Sequence, residues 1–219
     1  DAPPRIFPMR QEERTYLMGF YIPTIEDVRT ARRLRANRPN RDAFYNEAKQ
    51  LIDQAITENS WSNVTKALVV LLRTWNKNFY RFPRNYDENH VADIEQLLQR
   101  YATVILGFRQ RCIDTFSETD KPIVVNLFQD FENVVGRVGA AKSLHLLAPS
   151  FFPLWDTKIA KAYRCRLQRQ GKNGPLYCRF MQITKVQYET LGGKQVLGPN
   201  PLKALDAYNF ERFIKKQMS

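Results

Sequence analysis

Residues 134–162 read VVGRVGAAKSLHLLAPSFFPLWDTKIAKA, and the organisation of the chain follows from this run. Just upstream, Val124, Leu127, Phe128 and Phe131 recur three and four residues apart, the spacing of one helical face. Gly136 permits a positive φ, so that helix is expected to stop there. A second apolar face, Ala140, Ala141, Leu144 and Leu147, follows at once, and Pro149 forbids its extension beyond the Ala148 region. The unit reads helix, tight hairpin, helix over about residues 122–148. Backbone amides of such a hairpin, and of the start of its second helix, lack intrahelical partners and can donate to a phosphate oxygen. Arg137, Lys142, Lys158 and Lys161 place cationic side chains nearby.

Composition sets the partner class. The 219 residues carry 34 Lys+Arg against 22 Asp+Glu, a net charge of +12 that suits a polyanionic partner, nucleic acid first and an acidic protein or anionic membrane surface second. With 43% hydrophobic and 12% aromatic residues, the chain is expected to fold rather than stay disordered. Three Cys (Cys112, Cys165, Cys178) without a CxxC pair suggest neither a disulfide framework, a disulfide-linked partner nor a zinc site, and a reducing, intracellular compartment fits best. The two His, His90 and His145, are too few for a His-based metal site, so no metal or cofactor is expected. The longest apolar run, residues 67–72, is too short to cross a bilayer. Asn63-Val64-Thr65 matches a glycosylation sequon, but no signal segment accompanies it and the match is read as chance.

Away from the hairpin, residues 1–23 are Pro-rich and read as an extended arm, leaving 24–219 as one α-helical domain. The basic stretch 29–38, with Arg41 beyond it, would project guanidinium groups toward phosphates or simply form a solvated face. Asp42 can cap a helix to about Glu58, with Phe44, Ala48, Leu51, Ile52, Ala55 and Ile56 on one side. A central helix is expected over 61–79, and its tail through Arg84 alternates cations with aromatics, a pattern that stacks bases or packs inward. A long helix follows over 89–116. After the hairpin, 176–186 suit a short helix or a strand, and Pro201 opens a last helix through Lys216.

The central run resembles the helix-hairpin-helix base-excision DNA glycosylases, marked by a Gly-φ-Gly-x-x-x-Ala hairpin and a catalytic Asp about twenty residues later. Residues 135–140 match the second half of that hairpin, and Phe152-Pro153-Leu154-Trp155-Asp156 the Pro-φ-φ-Asp run before a helix; the likeness covers roughly 128–163. It implies a flipped damaged or mispaired base in duplex DNA, excised with Asp156 as catalytic carboxylate. It also implies main-chain phosphate contacts at Val135, Gly136, Val138 and Gly139. Two positions depart from the pattern: Val134 replaces the first hairpin glycine, and Val138 stands where bifunctional members carry a Schiff-base lysine. Water positioned by Asp156 is then the expected nucleophile, with Lys142, one turn further on, a weaker catalytic candidate and a phosphate contact.

Each residue also has a plainer role. Asp156 before a helix is a natural N-cap, and its place at a helix start should favour the ionised form. His145 reads as a hydrogen-bonded core histidine, and Trp155 as a base-pocket wall or buried packing. Two other functions share the same residues: a non-catalytic helix-hairpin-helix module that only grips nucleic acid, and a helical interaction protein whose basic surface meets an acidic partner.

Overall fold

The computed structural model describes residues 16–17, 20–37, 40–216 and 218. Most of the expected N-terminal arm, and Arg38 and Pro39 of the basic stretch, lie outside the described residues. A two-rung antiparallel ribbon comes first, β1 (Tyr16–Leu17) with β2 (Phe20–Tyr21), pairing Tyr16 with Tyr21 and Leu17 with Phe20. Everything after it is helical. In order come α1 (Ile25–Ala36), α2 (Asn40–Thr57), α3 (Trp61–Trp75), α4 (Lys77–Tyr80), α5 (His90–Arg100) and α6 (Ala102–Arg109). There follow α7 (Lys121–Leu147), α8 (Thr157–Ala162), α9 (Gly174–Thr190), α10 (Gly193–Leu197) and α11 (Pro201–Asn209), which runs on into a π-helical segment, Phe210–Lys215. The all-α domain expected from the sequence is present.

The longest helix, α7, is the core element. Val124, Leu127, Phe128, Phe131 and Val135 are fully buried on its first half and Leu144, Leu146 and Leu147 on its second. Each such side chain contributes roughly 1.5–3 kcal/mol by leaving water. Helix α9 packs along α7, while α2, α3 and α5 pack on its other sides and α1 lies on α11. Within α7 the helical path breaks at Gly136, with φ 73 and ψ 163, a backbone region essentially closed to other residues. Where the sequence predicted a hairpin turn, α7 has a single-glycine break between two helical runs, 121–135 and 137–147.

Several boundaries differ from the sequence reading, each for a local reason. The helix expected over 89–116 is three pieces, α5, α6 and a 3-10 turn at Ile113–Thr115. It is interrupted at Tyr101, whose hydroxyl turns aside to donate to Asp130 at 2.8 Å. The 61–79 helix stops at Asn76, whose side chain is claimed by α7. Asp42 lies inside α2 rather than at its cap. The buried stripe of α2 is Tyr45, Ala48, Ile52 and Ala55, leaving Phe44 and Leu51 more than half exposed. The 176–186 alternative resolves as helix, and the last helix changes hydrogen-bond period at Phe210. No helix of the described residues is long and apolar enough to cross a membrane, and the three cysteines are unpaired.

Candidate functional site

Asp156 occupies the N-cap of α8 in extended conformation, and its Oδ1 accepts the amides of Lys158 and Ile159, both at 2.9 Å. Its other carboxylate oxygen has no hydrogen bond among the described residues. The stretch leading to it is pinned from two sides. The Phe152 carbonyl accepts from His145 Nδ1 at 2.8 Å, and the Pro153 carbonyl accepts from the Tyr177 hydroxyl at 2.8 Å. Because a carbonyl can only accept, Nδ1 carries the proton and Nε2 accepts from Tyr45 Oη at 3.0 Å; Tyr45 Oη in turn receives the Asn200 amide at 3.0 Å. Burial pushes the His145 imidazole down to about 4, so it is neutral and structural, as the sequence suggested.

Lys142 projects from the second half of α7, and its Nζ donates to the Trp75 carbonyl. Together with Asp156 it lines two adjoining cavities, of ≈ 560 and ≈ 580 Å³, which also share Trp75, Lys77 and Ile214. The first is walled by aromatics, Phe44, Trp75, Trp155 and Phe210, and has an ion cluster in its lining. There the Asp206 carboxylate accepts Lys203 Nζ at 3.1 Å and faces Arg35 Nη1 at 3.4 Å. Burial acts to raise the Asp206 carboxyl, but Lys203 and Arg35 hold it below its ordinary value, so it stays an anion. The Lys203 ammonium lies 4.5 Å from the Tyr45 ring centre and 5.1 Å from that of Trp75. Trp155 is 1% exposed, packed edge-on against Phe128, and its indole N–H has no acceptor among the described residues.

The second cavity is bounded by the α3–α4 junction (Asn76 to Phe79) on one side and by Gly136, Arg137 and Val138 on the other, with Lys158 at its edge. Gly136 can line it only with backbone. Two clamps set that backbone. Asn76 Nδ2 donates to the Val135 carbonyl at 3.0 Å, and the Phe79 ring fills the space where a side chain at 136 would sit, 2.7 Å from its Cβ position.

Burial outweighs the helix start at Asp156: desolvation, with a contribution from the Asp206 charge, raises its carboxyl against the pull of the two amides and Lys142. This corrects the expectation that the cap position alone would favour ionisation. Of the residues singled out from sequence, Asp156, Lys142, Gly136, Arg137, Val138 and Lys158 converge on one cavity, and Trp155 walls its neighbour. Val135 and Gly139 lie buried behind them, and Lys161 is exposed on α8 away from both cavities. Arg29 and Arg33 pair with Glu26, and Arg35 is buried against Asp206. The sequence reading missed Asp206, Lys203 and Phe44 as wall residues, whereas Trp75 belongs to the tail of alternating cations and aromatics that it offered for stacking bases. One signal was visible: Lys203 and Asp206 are the only charges in a predominantly apolar helix, α11.

Among the described residues no cluster of His, Cys, Asp and Glu could hold a metal ion. Compared with protein-family models, curated proteins and solved structures, the chain matches none.

Proposed function

We propose that this chain binds duplex DNA and releases a base from a nucleotide turned out of the helix, with Asp156 as the catalytic carboxylate. The observation that carries this reading is the position of Asp156. One oxygen is fixed by two amides, the other is uncommitted, and the residue sits where an aromatic-walled cavity meets the groove beside the glycine turn. A base unstacked from DNA needs an aromatic wall, and the phosphates beside it need cations and backbone donors. Breaking the N-glycosidic bond builds positive charge on the sugar, which a fixed carboxylate stabilises. The test is base release from duplex oligonucleotides carrying a panel of damaged and mispaired bases, for the natural chain and Asp156→Asn. Release abolished in the variant is the expected result. No release by the natural chain from any lesion leaves the binding-module function.

A second reading concerns the nucleophile. Val138 is apolar and half-buried at the lip of the groove, whereas Lys142 shares both cavities with Asp156 and lies close enough to act on its carboxyl. That placement favours the Lys142 amine over water as the group that attacks the sugar, in which case base release is followed by strand cleavage.

A further inference from the structure

Between Thr157 and Asn173 the chain carries six cations, Lys158, Lys161, Arg164, Arg166, Arg169 and Lys172, and no carboxylate. All six are exposed, and none has a carboxylate within salt-bridge distance among the described residues. Several cations elsewhere are paired with carboxylates, Arg33 with Glu26, Arg109 with Asp53, Arg100 with Asp130, Arg111 with Asp120 and Lys121 with Glu118. Over residues 158–172 the positive charge runs without a compensating carboxylate.

That segment is also held in shape. Its loop closes over two buried polar residues, Glu132 of α7 and Asn173. Asn173 Nδ2 and the Gly171 amide donate to the Glu132 carboxylate at 2.5 and 3.1 Å, and Asn173 Oδ1 accepts the Gln168 amide at 2.7 Å. Gln170 donates to Asn133 at 2.8 Å, and Gln129 to the Gly171 carbonyl at 2.9 Å. At the other end α8 stops with Arg164 at φ 55, and the Cys165 amide reaches back to the Ala160 carbonyl at 2.9 Å. Glycine is the usual residue at such a left-handed helix end, and here the position carries a guanidinium. A fixed backbone adds little ordering cost of its own on meeting an array of anions, leaving the side chains as the part to be ordered.

The segment meets the candidate site at two places. Lys158 lines the groove beside the glycine turn, and Arg137, on the opposite lip, donates to the Gln168 carbonyl at 2.7 Å. We infer that residues 158–172 form a preshaped cationic ridge that takes the phosphate backbone of the duplex flanking the turned-out nucleotide, extending the footprint beyond the hairpin. The inference rests on the DNA-binding reading above, and charge complementarity commits it to the polyanion.

The test uses the full chain and a 30-base-pair duplex with a central tetrahydrofuran abasic analogue, titrated at several salt concentrations. A variant with Arg164, Arg166, Arg169 and Lys172 all changed to Gln should flatten the slope of log affinity against log salt by about two to four, at about 0.9 for each phosphate no longer neutralised. Removing four charges elsewhere, at Arg29, Arg33, Lys66 and Lys194, should leave the slope near the natural value. Helical circular dichroism and thermal midpoint report whether the ridge variant is folded; since its four side chains are exposed, both should hold. A folded ridge variant with the natural slope overturns the ridge while leaving the DNA reading intact. If the natural chain itself shows no salt-dependent duplex binding, the DNA reading fails and the ridge with it.

Discussion

The side-chain amide of Asn76 donates to the backbone carbonyl of Val135 across 3.0 Å, tying the end of α3 to the last residue before the Gly136 break. That bond satisfies a buried carbonyl that the broken helix leaves behind, and it brings Phe79 against the glycine. Gly136→Ala should therefore fail twice, through a backbone conformation closed to alanine and through a Cβ 2.7 Å from the Phe79 ring. The expected loss is about 1–3 kcal/mol from the backbone alone, read as a shifted denaturation midpoint, with weaker duplex binding. An unchanged midpoint would show that the turn does not need glycine.

Asn76→Ala isolates the clamp from the turn. It leaves the Val135 carbonyl buried without its donor, a loss of about 1–3 kcal/mol. It also opens the space that Gly139 now yields to the Asn76 amide, where a Cβ at 139 would lie 2.7 Å from Nδ2. Gly139→Ala should accordingly destabilise the natural chain more than the Asn76→Ala background, a coupling that a double-mutant cycle in urea measures directly.

The break in α7 at Gly136 was legible in the sequence because its signals are local. A glycine between two apolar faces, and an Asp before the next helix, need no knowledge of the rest of the chain. Asn76 and Phe79 were not, because nothing near Asn76 says that its amide will meet a carbonyl 59 residues away. The same applies to the aromatic cavity. Its walls come from α2, α3, α11 and the turn before α8, and only the cation–aromatic tail holding Trp75 and the charges of α11 hinted at it. Long helices were overextended where a side chain, Tyr101 or Asn76, found a tertiary partner better than continued helix.

His145 gives the fold a pH dependence with a definite sign. Its imidazole is neutral when folded, with a pKa near 4 against 6.5 for the free side chain, so the unfolded chain takes up the proton first. The stability it contributes is complete above pH 6.5 and is lost as pH falls toward 4. His90, lowered chiefly by burial, acts in the same sense, while the raised Asp156 carboxyl acts oppositely. Thermal midpoints of the natural chain should drop between pH 6.5 and 4. In His145→Gln, less stable at neutral pH, that drop should be smaller; an equally steep decline would put the titrating group elsewhere.

Asp156→Asn separates capping from catalysis. Asparagine keeps an oxygen for the Lys158 and Ile159 amides and caps about as well as aspartate, so the melting temperature should hold. Base release should fall roughly 10²–10⁴-fold. In the natural chain, where the carboxyl is raised by burial and by Asp206, the acid limb of kcat/KM should lie above the ordinary carboxylate range. Asp206→Asn removes one of those causes and should move the limb to lower pH. Because the limb's position does not depend on the fraction of active protein, the shift is readable even if the Lys203 and Arg35 charges, left without their anion, weaken the fold.

The nucleophile can be identified by trapping. If the Lys142 amine attacks C1′, the bond from C1′ to the base breaks and its electron pair leaves with the base. Opening of the sugar then gives an imine between Nζ and C1′. Borohydride delivers hydride to that carbon and fixes the protein to the strand. The natural chain should then yield a covalent adduct and a cleaved strand, and Lys142→Gln neither. Lys142 also donates to the Trp75 carbonyl, so the glutamine variant risks disturbing the cavity wall they share. Lys142→Arg answers this by keeping a cationic donor on a long stem while removing the nucleophilic amine, since guanidinium stays protonated. Duplex affinity retained in Lys142→Arg, with trapping abolished, assigns the attack to the lysine. An intact abasic product from the natural chain, with no adduct, returns the attack to water held by Asp156, as Val138 in the lysine's place first implied.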